Sequence, residues 1–177
     1  PVLNVISSPA AVVELADASA QDIEPITGTL SVSDADVGDT LTASQVGAAV
    51  VKLDGQAFTL PGTASALTAG LQFAGTATSD GGAKSIGWTY DPAGANLDFL
   101  REGQSLTLTY TVKVGDGLAY SSTQDVTITI TGTNDEPVLN VISSPAAVVE
   151  LADASAQDIE PITGTLSVSD ADVGDTL

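Results

Sequence analysis

The amino-acid sequence predicts an all-β fold, an immunoglobulin-like β-sandwich that repeats along the chain with a period of 136 residues. Three observations support this prediction. Apolar and polar residues alternate in several short runs, as in strands with one buried face. Glycine, proline and aspartate separate these runs, and no convincing helical periodicity is present. Finally, residues 137–177 are identical to residues 1–41.

The internal repeat sets the predicted domain boundaries. Pro1 corresponds to Pro137 and Leu41 to Leu177. The period is therefore the size of a whole domain, well above the roughly 20–50 residues of solenoid repeats. We expect one complete domain at 1–136 and the first 41 residues of an identical neighbour at 137–177. Two or three strands bury no core alone, so this partial copy should pack on an adjacent repeat, exchange strands with another chain or stay loose, and our hypothesis is β-strand addition to another chain's incomplete sheet.

About seven strands are expected in the complete repeat. The clearest are 106–114 and 126–131, in which apolar residues take every second position between polar ones, mostly threonines. Gly115, Asp116 and Gly117 lie between them and favour a turn. Five shorter strands are predicted at 11–15, 28–33, 57–60, 71–74 and 85–90. A single helical turn is possible at 95–100, and the Ala-, Gly- and Thr-rich stretch 43–82 is interpreted as an elaboration between strands.

Composition restricts the classes of function. The chain has 23 acidic and four basic residues, a formal net charge of −19. This charge disfavours binding to nucleic acids and to anionic membranes, and no apolar run has the length of a membrane span. Cysteine and histidine are absent, which excludes disulfides, thiol nucleophiles, structural zinc sites and histidine bases. The excess of carboxylates leaves calcium coordination by hard oxygen ligands as a possibility.

Three groups of acidic residues are candidate cation ligands. The first follows strand 28–33 and recurs in the second copy: Asp34, Asp36 and Asp39, then Asp170, Asp172 and Asp175. The second lies at the repeat boundary: Asn134, Asp135 and Glu136, followed by Pro137. The third is Asp98 with Glu102. Each group also has an interpretation without a cation. The first would be a solvated turn, the second a polar linker, and the third a solvated helix end beside Arg101.

Two sequence stretches carry a resemblance to a known family. Residues 112–137 contain a Gly-Asp-Gly turn between two alternating strands and end in G-T-N-D-E-P, and the next copy continues with S-D-A-D-V-G-D. This pattern resembles VCBS-type repeats of large RTX-type bacterial adhesins, which are related in pattern to cadherin domains. Cadherins have an A-x-D-x-G turn, a D-x-N-D-N-x-P linker, an L-D-R-E motif and a D-A-D motif.

The resemblance implies a cadherin-like sandwich with Ca²⁺ at each junction between repeats. Asp135 would be the central linker ligand, and Asn134 would contribute mainly its carbonyl oxygen. The other ligands that the resemblance implies are Glu14, Asp34, Asp36, Asp116, Asp170 and Asp172, and Glu102 together with Asp98 as the match to the L-D-R-E carboxylates. Glu136 replaces an asparagine of the cadherin linker, and L-D-F-L-R-E at 97–102 is two residues longer than L-D-R-E. Because the chain contains only part of each junction, we expect both sites to bind calcium partially or weakly.

The functional expectation is structural. The resemblance implies an extracellular spacer of a bacterial surface protein, active in cell adhesion or biofilm formation, whose joints are stiffened by Ca²⁺. An enzyme is not expected, since the acidic residues lie at turns and linkers. The alternative is a module that binds glycans or proteins through Trp88 and Tyr90, which alternate on one face of a strand. The competing interpretation of Trp88 is a core tryptophan.

Overall fold

The structure is a computed structural model that describes residues 1–7, 11–16, 23–92, 94–143, 147–149, 152 and 161–177. Within these residues the chain is an all-β sandwich with one short 3-10 helix, Gly62–Thr68. The predicted all-β class is therefore confirmed. Among the described residues, no helix is long and apolar enough to cross a membrane.

Eleven strands lie in the described part of residues 1–136. They are β1 Val2–Ile6, β2 Val12–Val13, β3 Ile26–Ser33, β4 Thr40–Gln45, β5 Val50–Leu53, β6 Gln56–Ala57, β7 Leu71–Ala74, β8 Ala77–Thr78, β9 Lys84–Tyr90, β10 Ser105–Gly115 and β11 Gln124–Thr131. One sheet has the order β1-β3-β9-β7, with all neighbours antiparallel. The other has the order β2-β11-β10-β4-β8, and β5 pairs with both β10 and β6.

The longest strand, β10, organises the second sheet. Its buried face carries Leu106, Leu108, Tyr110, Val112 and Val114, as the alternation predicts. One edge pairs with β11 from Ser105 to Val112, and the other edge is shared by β5 and β4 in turn. At about 3.3 Å per residue, this strand extends for about 33 Å. It therefore connects the two ends of the sandwich at which the acidic residues gather.

The core lies between the two sheets and contains the two residues proposed as a binding platform. Trp88 and Tyr90 of β9 are 1% and 0% exposed. The ring of Tyr90 lies 5.9 Å from that of Tyr110 on the opposite sheet, measured between centroids. The hydroxyls of both tyrosines donate to the carbonyl oxygen of Leu67 in the 3-10 helix. The alternative prediction that Trp88 and Tyr90 form an exposed binding face is therefore wrong, because both side chains of β9 point into the core.

The stretch 43–82 is not merely an elaboration between strands. It supplies β5, the second half of β4 and the short β6 and β8 to one sheet and β7 to the other, with the 3-10 helix between β6 and β7 along the chain. Several residues that it contributes to the core are alanines, namely Ala43, Ala64 and Ala77. Two further predictions differ from the structure. Strand 57–60 is reduced to β6, which ends at Ala57, and residues 95–100 form turns rather than a helical turn.

The second copy forms a strand pair of its own. The strands are β12 Val138–Ile142 and β13 Leu166–Ser169, and Val138 pairs with Ser169 as Val2 pairs with Ser33. We call β1 and β3 the first strand pair, and β12 and β13 the second strand pair. No third strand among the described residues joins the second pair.

Candidate metal centre

One acidic cluster lies at the end of the sandwich at which β11 ends, at Thr131. Carboxylate oxygens of Glu14, Asp98 and Asp135 lie within 4.8 Å of one another. We call these three residues the seam cluster, because Asp135 belongs to the linker between the two copies. Glu14 and Asp135 are buried, at 6% and 3% exposure, and Asp98 is half-buried. Three carboxylates in such proximity repel one another strongly unless protons or a cation neutralise them.

Backbone pairing positions Glu14. The short strand β2 runs parallel to the end of β11, and the backbone N–H of Glu14 donates to the carbonyl of Thr131 at 2.9 Å. Thr133 completes the connection, since its hydroxyl donates to the carbonyl of Glu14 at 2.6 Å. The backbone N–H of Thr133 also donates to Oε2 of Glu14 at 3.3 Å. Thr133, at the start of the linker, is thus hydrogen-bonded directly to Glu14 of the seam cluster.

A polar turn positions Asp98 between β9 and β10. The side-chain amide of Asn96 donates to Oδ2 of Asp98 at 2.7 Å, and the backbone N–H of Asp98 donates to Oδ1 of Asn96 at 3.2 Å. The N–H of Leu100 then donates to the carbonyl of Leu97 at 2.8 Å and closes the turn. These bonds hold the Asp98 carboxylate beside Glu14 and Asp135.

Electrostatics distinguish Glu14 from an ordinary surface carboxylate. Burial raises the pKa of Glu14 to about 8, and the N–H of Thr133 partly opposes this shift. The negative charges of Asp135, Asp172 and Asp98 raise this pKa further. A buried carboxylate with this environment is neutral at pH 7 unless a cation stabilises its ionised form.

The second copy contributes Asp172 to the same end of the sandwich. Oδ2 of Asp172 accepts a hydrogen bond from the backbone N–H of Asp135 at 2.9 Å. Asp172 is 2% exposed, and its Oδ1 has no hydrogen-bond partner among the described residues. Burial raises the pKa of Asp172, which the N–H of Asp135 opposes. The equivalent residue in the first copy, Asp36, is exposed, so contact with the linker buries this position.

A second acidic cluster lies at the opposite end of β10. Carboxylate oxygens of Asp34, Asp39 and Asp116 lie within 4.8 Å of one another, and we call these three the end cluster. The ammonium group of Pro1 contacts Oδ2 of Asp34 at 2.8 Å. This ammonium group, followed by the N–H of Asp36, holds the pKa of Asp34 below its usual value.

Asp116 is stabilised as an anion by the turn that the sequence predicts. Its Oδ1 accepts hydrogen bonds from the backbone N–H groups of Leu118 and Ala119, each at 2.7 Å. These N–H groups, that of Ala119 first, lower the pKa of Asp116. The end cluster is therefore organised around ionised carboxylates, whereas burial at the seam cluster opposes ionisation of Glu14.

Several residues named from the sequence lie outside both clusters. Asp36, Glu102, Asn134 and Glu136 are exposed, and the side-chain amide of Asn134 donates to the carbonyl of Asp135. Asp170 is half-buried and accepts the N–H of Asp172. The two clusters do include Asp39 and Asp98, which the sequence analysis names in the first and third acidic groups.

The donors of both clusters match the chemistry of calcium. Both clusters offer carboxylate oxygens, and the chain has no histidine or cysteine to favour zinc. Calcium accepts six to eight oxygen ligands in flexible geometry, including backbone carbonyls and water. The buried Oδ1 of Asp172 is an acceptor that a cation would satisfy. The residues at the seam therefore fit a hard divalent cation.

Comparison with protein-family models and with curated proteins finds no match to this sequence. The resemblance to VCBS-type and cadherin-like repeats therefore stays a hypothesis based on the motifs and on the clusters described above.

Proposed function

We propose that this chain is a spacer module of a secreted bacterial surface protein, built as a cadherin-like repeat whose junction binds Ca²⁺. The observation that carries the proposal is the burial of Asp172 against the linker, beside the seam cluster. Two copies of one sequence thereby direct carboxylates to a common junction. A cation bound there would connect both copies.

The residues at the junction have separate roles in this proposal. Glu14, Asp98 and Asp135 would hold the ion, and Asp172 would join them from the second copy. When bound, Ca²⁺ supplies positive charge that neutralises the carboxylates and crosslinks the elements that bear them. The hydrogen bonds from Thr133 to Glu14 and from Asp135 to Asp172 orient the linker for this purpose. The angle between the copies then becomes restricted.

The end cluster would serve the preceding junction in an array. Asp34 and Asp39 recur as Asp170 and Asp175 in the second copy. Arg101 of the first copy lies beside Asp175, with Nε 3.8 Å from Oδ1.

Extracellular calcium modules bind with dissociation constants of about 10⁻⁴–10⁻³ M, which allows binding outside cells and release inside them. A role in cell adhesion or biofilm formation follows if such modules are connected in series.

Two neighbouring acids in the 97–102 segment provide a matched test. We expect Asp98→Asn to weaken calcium binding at the seam by about tenfold or more, equal to about 1.4 kcal/mol, because it removes one of three converging carboxylates. Glu102→Gln removes the same formal charge from an exposed position four residues away, and should leave the affinity nearly unchanged. Isothermal titration calorimetry with CaCl₂ measures both variants. Equal effects of the two substitutions would contradict the proposed ligand set.

A further inference from the structure

The second strand pair exposes an apolar face that the same sequence buries elsewhere in the molecule. Leu139 is 53% exposed, whereas its equivalent Leu3 is 2% exposed. Leu166 is 66% exposed, whereas Leu30 is fully buried. Since the sequences are identical and the strand registers are equivalent, the difference lies only in what covers the pair.

The first strand pair identifies the surface that covers this sequence. The edge of β3 pairs with β9 along its length, from Ile26 opposite Tyr90 to Val32 opposite Lys84. The side-chain amide of Gln124 on β11 donates to the carbonyl of Leu3 at 2.6 Å. Leu3, Leu30 and Val32 join the core with residues of β9, β10 and β11. All of these covering elements belong to residues 42–136, which we call the acceptor.

The acceptor of the same molecule is not accessible to the second strand pair. Its site is filled by the first strand pair, whose β1 begins at Val2, directly after Pro1 at the end cluster. Residue 137 instead follows Asp135 at the seam cluster, at the other end of β10. The two ends are about 33 Å apart, and only residue 136 lies between Asp135 and Pro137. Occupation of an acceptor in the correct orientation therefore requires another molecule.

We infer that, in a polypeptide of these 177 residues, residues 137–177 can replace residues 1–41 in the sandwich of a second copy of the same polypeptide. The exchanged strands form the same backbone pairs and bury the same side chains as the resident strands. The exchange therefore gains no contact energy and loses the entropy of association. The resident pair prevails in the unsubstituted 177-residue polypeptide, and the exchanged pair prevails when the resident pair is damaged. This inference is independent of calcium.

Three variants of the full chain test the exchange. Leu30→Asp damages the resident pair, because it introduces a charge at a fully buried position, but leaves residues 137–177 intact. Leu166→Asp places the same change at an exposed position and serves as the matched control. The double variant damages both pairs. Sedimentation equilibrium and thermal melting are measured over a hundredfold range of protein concentration.

We expect Leu166→Asp to remain monomeric with native stability. Leu30→Asp should form dimers or longer head-to-tail assemblies with a melting temperature that rises with concentration. The double variant should lose this dependence and melt more than about 10 °C lower. Adding a peptide of residues 1–41 should convert the Leu30→Asp assemblies to one-to-one complexes. If Leu30→Asp folds, equal mass and equal melting of Leu30→Asp and the double variant would overturn the inference.

A milder lesion covers the case in which Leu30→Asp does not fold at all. Gly28→Ala damages the first strand pair through steric contact with Trp88, and Gly164 stays intact in the second pair. The same concentration dependence is expected, and its absence in both Leu30→Asp and Gly28→Ala would also overturn the inference.

Discussion

We expect Gly28→Ala to lower the free energy of unfolding of the sandwich by about 3 kcal/mol. A Cβ atom at this position would lie 2.3 Å from Cζ2 of Trp88, 2.4 Å from Cε2 and 2.6 Å from Oγ of Ser7. Trp88 is 1% exposed, so its ring has no space into which it can move. Because Trp88 is the only tryptophan, its fluorescence during urea denaturation reports this change directly.

Gly164→Ala is the matched control for this prediction. Gly164 occupies the equivalent position in an identical sequence, but its nearest obstacle is Oγ of Ser143 at 3.2 Å. A small exposed hydroxyl can adjust, so we expect a change within about 0.5 kcal/mol. If both substitutions had the same small effect, the packing of β3 against the Trp88 ring would be contradicted.

The second large effect concerns the pH dependence of stability without calcium. In chelator, we expect the free energy of unfolding to fall by about 3 kcal/mol between pH 5 and pH 8. The pKa of Glu14 is about 8 in the folded chain against a reference value of 4.5. Between these values the unfolded chain has released the proton and the folded chain retains it. Raising the pH therefore favours unfolding, and stability is greatest towards the lower end of this window.

Glu14→Gln should remove this slope, because the amide has no proton to release. At pH 8 in chelator, the variant should be more stable than the native protein. In calcium the native protein should be the more stable of the two. Calcium at one hundred times its dissociation constant stabilises the folded protein by about 2.7 kcal/mol, and the variant lacks one of the carboxylates that bind the ion. Urea denaturation of both proteins at pH 5 and pH 8, with calcium and with chelator, measures the free energy of unfolding under each condition. A variant with the same slope as the native protein would contradict the environment assigned to Glu14.

The success of the fold prediction depended on which residues form the buried faces. In β10, large apolar residues alternate with threonine and lysine, and the period of two is visible in the sequence. In the stretch 43–82, much of the buried face is made by alanines such as Ala43 and Ala77. Small residues are common in buried and exposed positions alike, so their burial follows from tertiary packing and leaves a weak pattern.

Part of the candidate site was predictable from motifs that specify local geometry, and Glu14 was named through the resemblance without a motif. The Gly-Asp-Gly turn led to Asp116, and the linker motif led to Asp135. The choice between Asp98 and Glu102 was not accessible, because it depends on the hydrogen bonds of Asn96. The different burial of Asp36 and Asp172 was also inaccessible, since the two residues share one local sequence and the burial of Asp172 comes from its contact with the linker at Asp135.

The most direct test of a cation at the seam is hydrogen exchange of backbone amides, measured by NMR in calcium and in chelator at one pH. The account predicts that the amides of Thr133 and Asp135, together with that of Asp172, exchange at least about tenfold more slowly in calcium. The amides in the middle of β10 should respond less, because they lie far from the seam cluster. Equal exchange rates at the seam in the two conditions would contradict the proposal that a divalent cation joins the two copies.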